Sequence, residues 1–179
     1  DGVQLTAKQS EQKDTGEPAL SPDGQFLYYS LDASGGSSFE YDKDSNPGIY
    51  AVDRLDMRTQ QTERVIAGPG GACRPVPSPD GKSIAFVRRV RYQSTLFVMD
   101  LRSGESRPLY GKLERDLQET WAVHGVYPAM AWTPDGTSIV FWAEGKIRRV
   151  DVASGKSEVI PFAVTNPRKV ADALRFPVD

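Results

Sequence analysis

Short apolar runs recur along the chain at near-constant intervals: Phe26-Leu27-Tyr28-Tyr29, Ile84-Ala85-Phe86-Val87 and Ile139-Val140-Phe141-Trp142. Each is four β-prone residues without polar alternation, the pattern of a strand covered on both faces. A second run follows each: Ile49-Tyr50-Ala51-Val52, Leu96-Phe97-Val98-Met99 and Ile147-Arg148-Arg149-Val150. A third ends near Val65-Ile66, Pro108-Leu109 and Val159-Ile160. With the segments ahead of the first runs (18–20, 74–77 and 129–132), each unit has four predicted strands.

Polar punctuation between the runs repeats as well. Ser21-Pro22-Asp23-Gly24, Ser78-Pro79-Asp80-Gly81 and Thr133-Pro134-Asp135-Gly136 are copies of one tetrapeptide, 57 and 55 residues apart. Its chemistry is that of a turn: a hydroxyl that bonds backbone, a proline that presets φ, an aspartate, and a glycine free to take positive φ. A second turn reads Asp100-Leu101-Arg102-Ser103-Gly104 and Asp151-Val152-Ala153-Ser154-Gly155, but Asp56-Met57-Arg58-Thr59-Gln60 in the first unit. If the backbone is the same there, Gln60 carries about 1 kcal/mol of left-handed strain.

Repeated four-stranded antiparallel units covered on both faces describe an all-β partial β-propeller of about three blades with terminal remnant strands. Pro75 and Pro77 fit an innermost strand, whose free edge tolerates the missing donor. The rival is a β-sandwich, whose strands would alternate apolar and polar residues. The expected division is 1–16 remnant strand of a preceding blade, 17–67 blade, 72–111 blade, 112–126 helical or loop insertion, 127–162 blade, and 163–179 start of the next. Propellers close with about 4–8 blades. The expectation is therefore a segment cut from a larger ring, or a homodimer of two three-bladed arcs. An unclosed arc is expected to be poorly soluble.

Composition narrows the chemistry. Among 179 residues, 22 Lys and Arg oppose 24 Asp and Glu, so nucleic acid has no basic footprint to bind. No apolar run approaches the ~18 residues of a membrane span. One cysteine, Cys73, excludes an intrachain disulfide and reads as a small buried hydrophobe; one histidine, His124, excludes a two-histidine metal site.

Few residues are then left for chemistry. In the insertion 32–47, Asp42, Asp44 and Asn46 alternate like the start of a calcium loop. Pro47 and Asp53 stand where that loop needs Gly and Glu, so the segment reads as a solvated loop anchored by Phe39, Tyr41 and Tyr50, with no metal. In the second insertion Leu113, Leu117 and Trp121 share a helical stripe, which Glu114 and Arg115 flank, and this reads as a packing or contact surface. His124 lacks a nucleophile-elbow partner and reads as structural. Arg88, Arg89 and Arg91 form a cluster that either pairs internally or meets an acidic partner. No catalytic, cofactor or metal residue is assigned.

The turn, the I-A-F-V run and the following L-F-V-M-D-L and S-G resemble the TolB-type propeller repeat. Longer stretches are more particular: Phe39 to Asp44 with Gly48-Ile49-Tyr50, Leu113 to Glu119 with Trp121, Gly125-Val126-Tyr127-Pro128, Gly145-Lys146-Ile147 and Ala173-Leu174-Arg175-Phe176-Pro177. Together these resemble the propeller region of large bacterial proteins in which TolB-like blades precede a metal-dependent amidohydrolase module. The resemblance implies periplasmic or extracellular export. It also implies a non-catalytic segment that scaffolds or gates the active site of a C-terminal module, because no H-x-H pair occurs here. Two alternatives stand beside it: a TolB-like protein–protein interaction propeller of the cell envelope, and the gating propeller of a serine peptidase.

Overall fold

The computed structural model describes residues 2–7, 10–38, 48–113 and 129–168. Twelve strands form three four-stranded antiparallel sheets, each in sequential strand order. The first sheet holds β1 (Thr15–Leu20), β2 (Phe26–Asp32), β3 (Tyr50–Asp56) and β4 (Thr62–Ile66). The second holds β5 (Cys73–Pro77), β6 (Ser83–Val90), β7 (Gln93–Asp100) and β8 (Ser106–Tyr110). The third holds β9 (Met130–Trp132), β10 (Ser138–Ala143), β11 (Lys146–Asp151) and β12 (Ser157–Ile160).

The sheets share one register. Tyr28 pairs with Arg54, Ala85 with Val98 and Val140 with Arg149, at the same distance from each turn. One face of each central strand pair therefore looks toward the preceding sheet and the other toward the following one. Between the first and second sheets lie Tyr28, Val52, Ile84, Phe86, Phe97 and Met99. Between the second and third lie Ala85, Leu96, Val98, Ile139, Phe141 and Val150. Burying a large apolar side chain in such a layer contributes roughly 1.5–3 kcal/mol. The rings of Phe86 and Phe97 are tilted with centroids 5.6 Å apart, and those of Tyr110 and Phe141 5.0 Å apart.

The innermost strands hold the stack together. β5 touches β1 on one side and β9 on the other. It is the free edge of its sheet, where Pro75 and Pro77 forfeit no ladder bond. The Trp132 indole N–H donates to the Val76 carbonyl at 2.9 Å, tying the third sheet to the second. β1 and β5 are both bulged, between Gly16 and Ala19 and between Cys73 and Val76. Within those bulges Glu17 and Arg74 take φ of +55° and +54°.

Two expectations need adjustment. Residues 2–7 and 10–14 form no strand, so the described part of 1–16 holds no remnant strand before β1 begins at Thr15. Residues 163–168 form no strand, and the rest of the expected next blade, 169–179, lies outside the described residues. The run Ile139 to Trp142 is covered on one face only: Ile139 and Phe141 are buried, Val140 is half-buried and Trp142 is 39% exposed. No further sheet among the described residues lies against that side. The helical stripe beyond Leu113 lies outside the described residues; Leu113 itself packs on Cys73 and Val87.

Candidate functional site

Antiparallel order sends the β1–β2 and β3–β4 type turns to one rim of the stack and all other connections to the opposite rim. On the turn rim the three tetrapeptides adopt one hydrogen-bond pattern. Gly81 N–H donates to the Ser78 carbonyl at 2.9 Å, and the Ser78 hydroxyl donates to Asp80 at 2.6 Å while accepting Ser83 N–H at 2.9 Å. Asp80 also accepts Lys82 N–H at 3.0 Å. Ser21, Asp23, Gly24 and Thr133, Asp135, Gly136 repeat these bonds. Gly24, Gly81 and Gly136 each sit at φ +70°. A Cβ on Gly81 would meet Pro22 at 3.9 Å, and one on Gly136 would meet Pro79 at 3.8 Å, so successive turns stack side by side.

The second turns are equally uniform. Gln60, Gly104 and Gly155 donate to the carbonyls of Asp56, Asp100 and Asp151 at 2.8, 2.9 and 2.8 Å. Their φ values are +60°, +74° and +69°, so glutamine holds a left-handed position that its two counterparts fill with glycine. Hydrogen bonds hold all six turn carboxylates below the ordinary carboxylate range. The donors are the Ser or Thr hydroxyl and then a backbone N–H at Asp23, Asp80 and Asp135. They are Thr59 N–H at Asp56, Ser103 N–H at Asp100 and the Ser154 hydroxyl at Asp151. These aspartates are occupied with local backbone and hydroxyl groups.

The opposite rim is irregular. Here lie the connection 67–72, the described ends of two longer connections (33–38 with 48–49, and 111–113 with 129), and the hairpin tips 91–92 and 144–145. At its first corner the Lys13 ammonium, 1% exposed, enters a nest of acceptors: Asp32 Oδ1 at 3.2 Å, the Ser34 hydroxyl, and the carbonyls of Ser34 and Gly35 at 3.1 and 3.3 Å. Beside it the Tyr50 phenol is buried without a hydrogen-bond partner, and burial, then Asp32, pushes its pKa up. The connection 67–72 is tightly packed. Gly70 has φ +79°, and a Cβ there would lie 1.9 Å from the Arg89 carbonyl oxygen.

The arginine cluster separates into unequal members. Arg88 donates to the carbonyls of Gly71 and Ala67, each at 3.1 Å, and lies over the Phe86 and Phe97 rings. Arg89 is buried, with its guanidinium carbon 5.7 Å from the centre of the Tyr92 ring. That leaves Arg91 exposed, at φ +57° on the hairpin tip, next to Tyr92, which is 70% exposed. At the third sheet, Arg148 pairs with Glu144 and lies over Tyr110 in a cleft that Lys112 and Ser157 also line. Asp42, Asp44, Asn46, Glu114, Arg115, Trp121 and His124 lie outside the described residues. Among the described residues no group of three or more His, Cys, Asp or Glu converges as a metal site would require. Nor is any helix there long and apolar enough to cross a membrane.

Sequence reading missed the inner clamp between sheets. Glu17 Oε2 accepts the Arg74 N–H and the Ser30 hydroxyl, both at 2.6 Å, and Oε1 lies 3.1 Å from the Arg74 guanidinium. Glu17 and Arg74 occupy the same position four residues before their respective turns, so one repeat position bonds to its own copy in the next sheet. No local pattern marks either residue; only the repeat alignment could have paired them.

No protein-family model and no curated protein matches the sequence. Solved structures do. TolB from Acinetobacter baumannii superposes with a TM-score of 0.61 at 24% identity, covering 84% of this chain and 33% of that one. A putative TolB from Agrobacterium tumefaciens gives 0.60 at 16% identity, covering 87% and 50%. The β-propeller domain of the Trilobed protease from Pyrococcus furiosus, described as having an open velcro topology, gives 0.56 at 17%, covering 84% and 44%. The chain thus spans between a third and a half of the proteins it resembles. Three four-stranded sheets, stacked through their inner strands and likened to these structures, make this chain a partial TolB-like β-propeller.

Proposed function

We propose that this chain is a non-catalytic propeller segment, a scaffold, gating or interaction module of a larger exported protein resembling a metal-dependent amidohydrolase. The observation that carries the reading is the division between the rims. One rim repeats a single bonding pattern three times and commits its carboxylates to the fold. The other carries the connection 67–72 and the described ends of two longer ones, and its hairpin tip offers Arg91 and Tyr92 to solvent. Contact with other modules belongs on that irregular rim, as function does on loops carried by a rigid frame. The segment takes no cofactor, acts in the periplasm or outside the cell, and works alongside further blades and a C-terminal amidohydrolase module.

The likeness to TolB favours a second reading, an interaction propeller of the envelope without any hydrolase module. The surrounding reading frame separates the two: a downstream H-x-H barrel supports the first, and a signal peptide with blades alone supports the second. Under either reading the purified chain leaves ester, amide and peptide substrates intact. Turnover by the pure chain that disappears on His124→Ala would overturn both.

A further inference from the structure

Between the second and third sheets the outer strands leave a cleft of about 340 Å³, lined by Leu109, Tyr110, Lys112, Glu144, Arg148 and Ser157. Leu96 pairs with Tyr110 as Val52 does with Ile66 and Ile147 with Ile160, so isoleucine fills the Tyr110 position in both other sheets. By the same register Phe97 is the counterpart of Arg148. Ile66 and Phe97 share the apolar core between the first two sheets. One interface later the equivalent pair is Tyr110 and Arg148, with the guanidinium carbon 5.7 Å from the ring centre. Stacking the sheets therefore requires neither a hydroxyl nor a charge at these positions.

Both polar groups keep bonding capacity that the fold leaves unused. Tyr110 is 8% exposed, and its hydroxyl is buried without a hydrogen-bond partner. An orphaned buried hydroxyl is costly, and natural structures contain few. Burial pushes its pKa up, against the pull of Arg148, so at neutral pH it remains a donor. The Arg148 Nε–H reaches the Ala143 carbonyl at 3.4 Å, and one terminal nitrogen pairs with Glu144. Its other terminal nitrogen has no bond among the described residues, although a guanidinium carries five donors. Lys112 adds an exposed second cation, so with Glu144 the cleft holds one net positive charge.

We infer that this cleft binds a small organic monocarboxylate. The carboxylate takes the open edge of the Arg148 guanidinium and accepts the Tyr110 hydroxyl, with Lys112 at the mouth. Leu109, itself buried, and the tyrosine ring wall the apolar part of the ligand. Arg148 covers that ring, so binding swings the guanidinium toward the ligand and uncovers the hydroxyl. One negative charge matches the cleft, whereas a phosphate dianion would stand against Glu144. The volume suits such a ligand, since small-molecule sites span about 300–1,000 Å³. The site stands on the packing of the second sheet against the third, whatever module the full protein carries.

The test follows the Arg148 Nε–H and Tyr110 ring signals by NMR in the 179-residue chain, titrated with benzoate and, separately, with inorganic phosphate. Benzoate is expected to shift both signals saturably, and phosphate to bind about tenfold more weakly. Tyr110→Phe should weaken benzoate about tenfold, as loss of a hydrogen bond to a charged group does, and Lys112→Gln about twofold. Tyr110→Phe should also keep or raise the melting temperature, because the hydroxyl it removes bonds nothing in the free chain. Arg148→Gln should abolish the benzoate shift at Tyr110; if that variant does not fold, Tyr110→Phe decides alone. No saturable shift, a benzoate affinity indifferent to Tyr110→Phe, or phosphate binding as tight as benzoate overturns the proposal. So does a lower melting temperature for Tyr110→Phe, which would show the hydroxyl bonded within the fold. Hydrolysis by the purified chain would defeat the scaffold reading and leave the titration result standing.

Discussion

The turn rim and the connection rim are built from the same twelve strands, yet they differ in what fixes them. On the turn rim each residue is determined by its neighbours within six positions: hydroxyl to aspartate, aspartate to backbone, glycine to positive φ. On the connection rim the determining contacts come from far along the chain, as Gly70 against Arg89 and Lys13 against Asp32 show. Local determination makes a part that can be repeated. Non-local determination makes one that can vary between repeats, and there a chain gains specific contacts.

The comparison breaks most sharply at Gly70. Gly70→Ala places a methyl group inside the Arg89 carbonyl at a left-handed backbone position, and should lower stability by roughly 3 kcal/mol in urea unfolding. A neutral result would mean that the connection rim is as loose as its length suggests. On the turn rim, Ser78→Ala removes a buried hydroxyl that serves both Asp80 and Ser83, with an expected loss of about 1–2 kcal/mol.

This contrast also decides what the sequence could reveal. The Ser/Thr-Pro-Asp-Gly turns, the four strands per unit and the left-handed Gln60 follow from short-range chemistry, and all three are present. The separate fates of the arginines are not legible in the cluster because β6 alternates: Arg88 turns its guanidinium onto Phe86 and Phe97, Arg89 is buried on the other side, and of the three the tip residue Arg91 is exposed. The Glu17–Arg74 clamp and the Lys13–Asp32 pair were not legible. Each joins residues whose proximity depends on how strands bulge and stack, which no window of sequence encodes.

Smaller effects sharpen the same division. Gln60→Gly relieves the left-handed position and should stabilise the chain by about 0.5–1 kcal/mol, less the bond that the Gln60 amide makes to the Met57 carbonyl. Acid should act through the turn rim. The six turn carboxylates release their protons more readily folded than unfolded, so their contribution is complete above the unfolded value of about 3.9. It is lost as pH falls through the lower folded values. The melting temperature is expected to hold from pH 7 to 5 and to drop below pH 4; a flat profile would show that these bonds carry no linkage. Least of all, Tyr92→Ala on the exposed tip should change stability by less than about 0.5 kcal/mol, which leaves it a clean probe of partner binding.

A propeller requires that the three sheets pack side by side as blades. Two protons report on that directly, the Arg74 amide, which reaches the first sheet at Glu17, and the Trp132 indole N–H, which reaches the second at Val76. Hydrogen exchange followed by NMR should find both protected as strongly as the ladder amides of β6 and β7. Exchange at unstructured rates for these two, while the ladder amides stay protected, would mean that the sheets form without stacking and would contradict the propeller.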